Sequence, residues 1–265
     1  MYEHIPKALW FTYAAIIGLC FGSFANVLVY RLPRKLSVVR PPSACPACGK
    51  RLRLWAMIPI VSWLFLRRRC CYCGIRISVR YPLVEMICAI LFVGMIVFVS
   101  GLSVIPLSFF AFILLCITLI DWEIQEIPDG LIIAGTAVGF LWVAAAFFAP
   151  NLLHSAPNWH EALLGVLAGG LPLLVLDRIS LWLLKKDGFG YGDVKLMAMA
   201  GLFLGWQLIF AAFFFAFITA GCYAAFLLLS GRAKRGAYIA FGPFLCAGSL
   251  FALWFGAEVI GVSQF

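Results

Sequence analysis

Charge is what this chain has least of: of its 265 residues, only 12% are Asp, Glu, Lys or Arg. Soluble domains carry about 25% charged and roughly 45–50% apolar residues. Here 65% of the sequence is hydrophobic and the mean hydropathy is +1.05. A water-soluble globular fold is therefore excluded. Disorder is excluded too, because apolar residues to bury are plentiful. The short alternating segments of a transmembrane β-barrel are missing; the apolar runs are continuous. No low-complexity tract and no solenoid-like repeat interrupts them. The composition predicts an all-α polytopic membrane protein with room for roughly six to eight spans of about 20 residues each.

Acidic residues are absent from positions 31–80, which hold 12 of the 20 Lys and Arg residues. Between apolar runs, such a block marks a cytoplasmic loop under the positive-inside rule. Its counter-charge is the anionic lipid of the bilayer rather than nucleic acid. The first apolar stretch, 8–30, is followed by this positive block instead of preceded by it, so it reads as an uncleaved helix with its N-terminus outside. Further spans are predicted at about 82–100, 104–120, 131–148 and 161–184. Residues 149–160 contain no Lys or Arg, which suits the outer face. Both Lys185-Lys186 and the basic run Arg232–Arg235 belong inside, so an even number of crossings must separate them. Gly205-Trp206 is the one plausible break, giving a short span at 194–205 and a longer one at 207–230. With a last span at 238–260 this makes about eight, and the C-terminus lies outside. The organisation expected is a first transmembrane helix (1–30), a basic loop domain (31–81) and a transmembrane catalytic domain (82–265).

Half of the ten cysteines, Cys20, Cys88, Cys116, Cys222 and Cys246, lie singly in apolar runs and read as small hydrophobes. The other five fall in the basic loop, as Cys45-Pro-Ala-Cys48 and Cys70-Cys71-Tyr-Cys73. Two C-x-x-C pairs at this separation fit a zinc-ribbon-like site of four thiolates, closed and hence structural. Gly49 and Gly74 follow the second ligand of each pair, as the tight turns of such knuckles need. Cys45, Cys48, Cys70 and Cys73 are the expected ligands and Cys71 is surplus. Disulfides are disfavoured in a reducing cytoplasm. The apolar stretch Leu54–Leu66 gives the loop no sizeable core and is expected to lie against the membrane.

Ionisable groups at membrane depth or at a helix end are functional candidates. Two acidic clusters stand out, Asp121–Gly130 (DWEIQEIPDG) at the end of the third span and Gly188–Lys195 (GFGYGDVK) where the fifth gives way to the sixth. Both fall at one face, so a carboxylate from each can meet. Two carboxylates sharing a proton are the machinery of an aspartic protease, one activating water and the other polarising the scissile carbonyl. Gly190 and Gly192 ahead of Asp193 let a substrate backbone approach closely. A nucleotide-binding glycine loop is excluded because no βαβ unit surrounds these glycines. Asp177, inside the fifth span, is assigned to packing. A proton-coupled transporter with a structural zinc loop is the competing reading, but it would place acids near mid-bilayer and show inverted repeats.

The set of motifs resembles the type IV prepilin peptidases (prepilin leader peptidase/N-methyltransferases), membrane aspartic proteases of the GxGD type. The matching pieces run in order along nearly the whole chain: Gly22-Ser-Phe-Ala-Asn26-Val, Arg31-Leu-Pro33, the two C-x-x-C pairs, and Ile58-Pro59 to Ser62-Trp63. They continue with Arg80-Tyr-Pro82-Leu-Val-Glu85, Ile-Asp121 to Ile-Pro-Asp129, Gly190-Tyr-Gly-Asp193-Val-Lys195 and Phe241-Gly-Pro243-Phe. The resemblance implies a catalytic pair at Asp121 and Asp193, with Asp129 competing for the first position and Lys195 in the supporting motif. It implies cleavage of the short basic leader of prepilins or pseudopilins after a glycine, at the cytoplasmic face of the bacterial inner membrane. It also implies N-methylation of the new N-terminus with S-adenosylmethionine.

Overall fold

The computed structural model describes residues 7–150, 152–153, 155–185, 190–232 and 239–260. Gly188 and most of the basic run at 232–235 lie outside the described residues. Among the described residues there are eight α-helices: α1 (Lys7–Arg31), α2 (Val61–Phe65), α3 (Arg80–Phe98), α4 (Val104–Ile124), α5 (Asp129–Phe148), α6 (Trp159–Leu184), α7 (Tyr191–Leu229) and α8 (Gly242–Ile260). No named strand occurs among the described residues. The helices divide between two compact units, Met1–Phe98 and Val99–Phe265.

In the first unit, α1 and α3 lie close enough that side chains must be absent from the seam. A Cβ on Gly18 would come 2.6 Å from the Ala89 Cα, and Gly22 meets the Glu85 backbone in the same way. Without a hydrophobic drive between helices in lipid, small residues of this kind let dispersion do the work. The Asn26 side-chain amide donates to the Tyr81 carbonyl at 3.2 Å, joining the two helices where the loop begins and ends.

In the second unit, α4 is the central helix, with Leu107, Phe110, Ile113, Leu114, Ile117 and Ile120 fully buried. Large side chains elsewhere face outward, such as Ile133, Phe140 and Leu141 of α5. Exposed apolar groups of this size suit a lipid solvent. Among the described residues six helices are long and apolar enough to cross a bilayer, and α8 offers a shorter apolar stretch.

Helix α7 is 39 residues long, roughly 58 Å if straight, about twice the hydrocarbon core. It is not straight. Gly205 has φ +70° and ψ 176°, outside helical space, and divides α7 into two limbs. Only glycine takes such a conformation without steric penalty. The first limb runs antiparallel to α6, with Gly165 against Gly201 and Gly169 against Met197. The second runs antiparallel to α8, with Gly248 against Ala212. The break falls where the sequence placed it between the sixth and seventh spans. One boundary differs: α4 continues through Ile124, so Asp121 lies within the helix and not in the acidic turn. Gln125, in the left-handed region, ends the helix by donating its amide to the Asp121 carbonyl.

Candidate active site and metal centre

Asp121 sits one turn before the end of α4, and Asp193 occupies the first turn of α7. Both are buried, 5% and 6% exposed. The start of α8 at Gly242 lies against both Asp121 and Ile127, and Ile127 in turn lies against Gly192, the residue before Asp193. The two acidic clusters thus deliver one carboxylate each to a single locus.

Each carboxylate meets the start of a helix. Asp193, third residue of α7, accepts from the backbone N–H of Gly190 at the N-cap, as an acidic N3 residue does in a capping box. Asp121 lies at the C-terminal, negative end of its own helix, an unfavourable place for an anion. The N-terminus of α8 offsets this, because the Gly242 amide is directed at the Asp121 carboxylate. Asp121 Oδ2 is buried without a hydrogen-bond partner among the described residues. It is the acceptor left over for a further ligand.

Glycine is required for space at Gly242, where a Cβ would lie 2.7 Å from Asp121 Oδ2; one on Gly190 would stand in ordinary contact, 3.7 Å from Asp193 Oδ2. Ile127, in the linker from α4 to α5, lies 3.0 Å from the position of a Gly192 Cβ and 3.3 Å from that of a Gly242 Cβ. It therefore wedges between the two helix starts that serve the aspartates. Gly242 and Ile127 were both inside motifs noted from the sequence, yet neither carried a role there. The signal available was a glycine ahead of Pro243, a residue common in the first turn of a helix.

Asp129 is placed differently from its competitor. It opens α5, is exposed, and pairs with Lys195 Nζ at 2.7 Å. That pair links the start of α5 to α7 two residues beyond Asp193. Asp177 is buried within α6, 4% exposed. Its neighbour Arg178 donates to the Tyr191 hydroxyl at 2.7 Å, at the first residue of α7. Both members of the buried pair lie at helix ends, unlike the mid-bilayer acids a transporter would use.

In the first unit the two C-x-x-C pairs fold into matching knuckles. The Cys45 amide donates to Lys50 O at 3.0 Å and the Gly49 amide to Cys45 O at 2.9 Å; Cys70 with Ile75, and Gly74 with Cys70, repeat the pattern. Gly49 and Gly74 both have positive φ, +67° and +72°. Antiparallel bridges Ala44–Arg51 and Arg69–Arg76 close the two turns. The sulfurs of Cys45, Cys48, Cys70 and Cys73 all lie within 4.8 Å of one another, with Cys45 and Cys73 3.9 Å apart. A zinc–thiolate tetrahedron with bonds of about 2.3 Å has edges of roughly 3.8 Å, so the donor set fits. Cys71 is exposed and outside the cluster.

Hydrogen bonds lower the Cys70 thiol to about 6, the Tyr72 amide being the strongest influence. For Cys73 the Ile75 amide pulls downward, but burial and the three neighbouring sulfurs push it up to about 11. The four sulfurs form a donor set that could hold a metal ion.

Comparison with known proteins covers both units. A model of the bacterial peptidase A24 N-terminal domain matches residues 16–99, and a model of the type IV leader peptidase family matches residues 108–225. Among similar curated proteins, the prepilin leader peptidase/N-methyltransferase of Pseudomonas putida is 32% identical over 96% of this chain and 94% of its own. Its namesake in Bacillus subtilis is 36% identical, over 92% and 94%. A third, from Neisseria gonorrhoeae, is 33% identical over 88% and 86%. No solved structure matches.

Proposed function

The chain belongs to the type IV leader peptidase family, and from that premise we propose that Asp121 and Asp193 are the catalytic dyad of a membrane aspartic endopeptidase. The enzyme removes the short leader of type IV prepilins or pseudopilins and N-methylates the residue thereby exposed. The observation that carries the assignment is the convergence of two buried carboxylates from separate helices at one locus, with Asp121 Oδ2 unpartnered.

In the resting dyad one carboxyl is protonated and its partner is ionised, since two like charges at close quarters cannot both persist. The ionised carboxylate takes a proton from a water molecule as that water's oxygen bonds to the scissile carbonyl carbon. The protonated carboxyl donates to the carbonyl oxygen, giving a neutral tetrahedral diol. Collapse of the diol returns that proton to the dyad, and the leaving nitrogen receives the proton taken from water. The peptide bond is thereby replaced by a carboxyl and a free amine. The glycine backbone at 190 and 192 leaves room for an extended substrate chain beside Asp193.

Methylation follows at that amine, and S-adenosylmethionine would supply the methyl group as a sulfonium substituent. Cys45, Cys48, Cys70 and Cys73 would hold Zn²⁺, whose contribution is to organise a loop with little core of its own. The basic loop and the dyad face the cytoplasm, with both termini outside, in keeping with the positive-inside rule. The catalytic chain comprises one anchoring helix, the zinc loop and the transmembrane remainder.

The test replaces each aspartate by Asn, which keeps size and hydrogen bonding but cannot exchange the proton. Asp121→Asn and Asp193→Asn should each abolish leader cleavage while methylation of already processed pilin continues. Asp129→Asn should retain most cleavage, because an exposed ion pair is worth about 0–1 kcal/mol. Normal cleavage by Asp193→Asn would refute the protease assignment. A dead Asp129→Asn beside an active Asp121→Asn would move the first aspartate.

A further inference from the structure

The loop between α1 and α3 carries an apolar face that the protein leaves uncovered. Leu54 and Phe65 are 84% and 82% exposed, and Trp55, Ile58, Val61 and Leu64 are exposed beside them. These six fall in one short segment, a 3-10 turn (Leu54–Met57) followed by α2. Exposed arginines border it on both sides, Arg51 and Arg53 before, Arg67, Arg68 and Arg69 after. The border is deliberate at the level of the backbone. Arg67 and Arg68 both have positive φ, 48° and 63°, a conformation that glycine or asparagine adopts more readily. Two arginines thus occupy positions where the backbone disfavours them.

The segment is also fixed in depth. Glu85, buried on α3 little more than a turn from its start, accepts a hydrogen bond from the Ile60 amide at 2.7 Å. Ile60 joins the 3-10 turn to α2. The tip of the segment is therefore bonded to a side chain inside a membrane-spanning helix, and its apolar residues cannot stand far off in water.

We propose that residues 54–65 form an interfacial anchor, seated among the headgroups and upper acyl chains of the leaflet that faces the basic loop, with anionic phospholipid as the partner. Apolar side chains ringed by arginine are the composition of segments that lie in a membrane interface. The absence of any acidic residue from 31–80 removes the usual repulsion from anionic lipid. A protein partner covering the same face is the competing occupant.

The full chain reconstituted into vesicles tests this, with and without phosphatidylglycerol, using lipids brominated at defined acyl positions. Trp55 emission is isolated as the difference between the parent and Trp55→Phe. The anchor predicts strong quenching of Trp55 by bromine near the headgroup, weak quenching by aqueous iodide, and greater bromine quenching when phosphatidylglycerol is present. The phosphatidylglycerol effect should shrink in Arg67→Gln/Arg68→Gln. Quenching by iodide alone would overturn the proposal by placing the segment in water. Protection from both quenchers would overturn it by showing that protein covers the face. These readouts do not depend on catalysis.

Discussion

Replacing Gly242 by alanine tests how closely α8 holds the first aspartate. The added Cβ would stand 2.7 Å from Asp121 Oδ2, 3.1 Å from its Cγ and 3.3 Å from Ile127 Cδ1. Ordinary contact begins at 3.4 Å, so the carboxylate must retreat by about 3.4 − 2.7 = 0.7 Å, or α8 must move. Overpacking of this kind costs about 1–3 kcal/mol. The larger consequence is catalytic, since misplacement by about 1 Å can lower a rate roughly hundredfold. We therefore expect Gly242→Ala to cleave prepilin on the order of 30 to 100 times more slowly. Methylation of pre-cleaved pilin by the same preparation should hold. Gly221→Ala is the control: its Cβ would meet nothing within 4 Å, and alanine favours the helix by about 1 kcal/mol. The assay is the appearance of shortened pilin in proteoliposomes at matched enzyme. Cleavage by Gly242→Ala at the parent rate would show that α8 does not confine Asp121, and the geometry argued here would be wrong.

Removing metal ligands should separate the two units: Cys45→Ser/Cys48→Ser should strip one Zn²⁺ per chain and weaken methylation more than cleavage, as metal analysis and both assays would report, while Cys71→Ser should retain the metal. In protein freed of metal, Cys70 should alkylate before Cys73 near neutral pH. The thiolate form of Cys70 persists down to about 6, whereas Cys73 keeps its proton up to about 11; mass spectrometry of timed iodoacetamide reactions gives the order. For topology, cysteines introduced at Gln125, Gly190 and Arg232 should label from the cytoplasm and one at Ser155 from outside, and outside labelling at Arg232 would remove the short crossing made by the first limb of α7. Cleavage should follow a bell-shaped pH profile, because the dyad works with one proton.

Much of this was legible because membrane sequences declare themselves by period-free apolar length and by where charge is missing. The spans emerged within a few residues, and the break at Gly205 followed from the charge rule together with the Gly205-Trp206 interruption of that apolar stretch. The four-cysteine cluster was legible because the spacing of thiols is a local property, read without knowing the fold. The aspartates were harder. Asp121 and Asp129 belong to one short acidic run, and which of them meets Asp193 depends on where α4 ends. The helix outlasts the apolar run by four residues, through Ile124, and this buries Asp121 and leaves Asp129 to the next helix. Gly242 and Glu85 escaped a role for a similar reason. Their partners, Asp121 and Ile60, lie far away in sequence, and single-chain patterns carry no record of such contacts.

The glycine break in α7 makes its first limb a ruler as well as a crossing. Asp193 and Gly205 are the two ends of one rigid rod of about three turns, and seams with α6 at Gly201 and Met197 allow it no slip. Lengthening the rod by one residue between those points would turn Asp193 by about 100° and shift it by about 1.5 Å. Either displacement would part it from Asp121. The length of this limb, and not only the identity of its residues, is thus under chemical constraint. A single-residue insertion there would be silent for hydropathy and for membrane insertion, yet would disassemble the dyad.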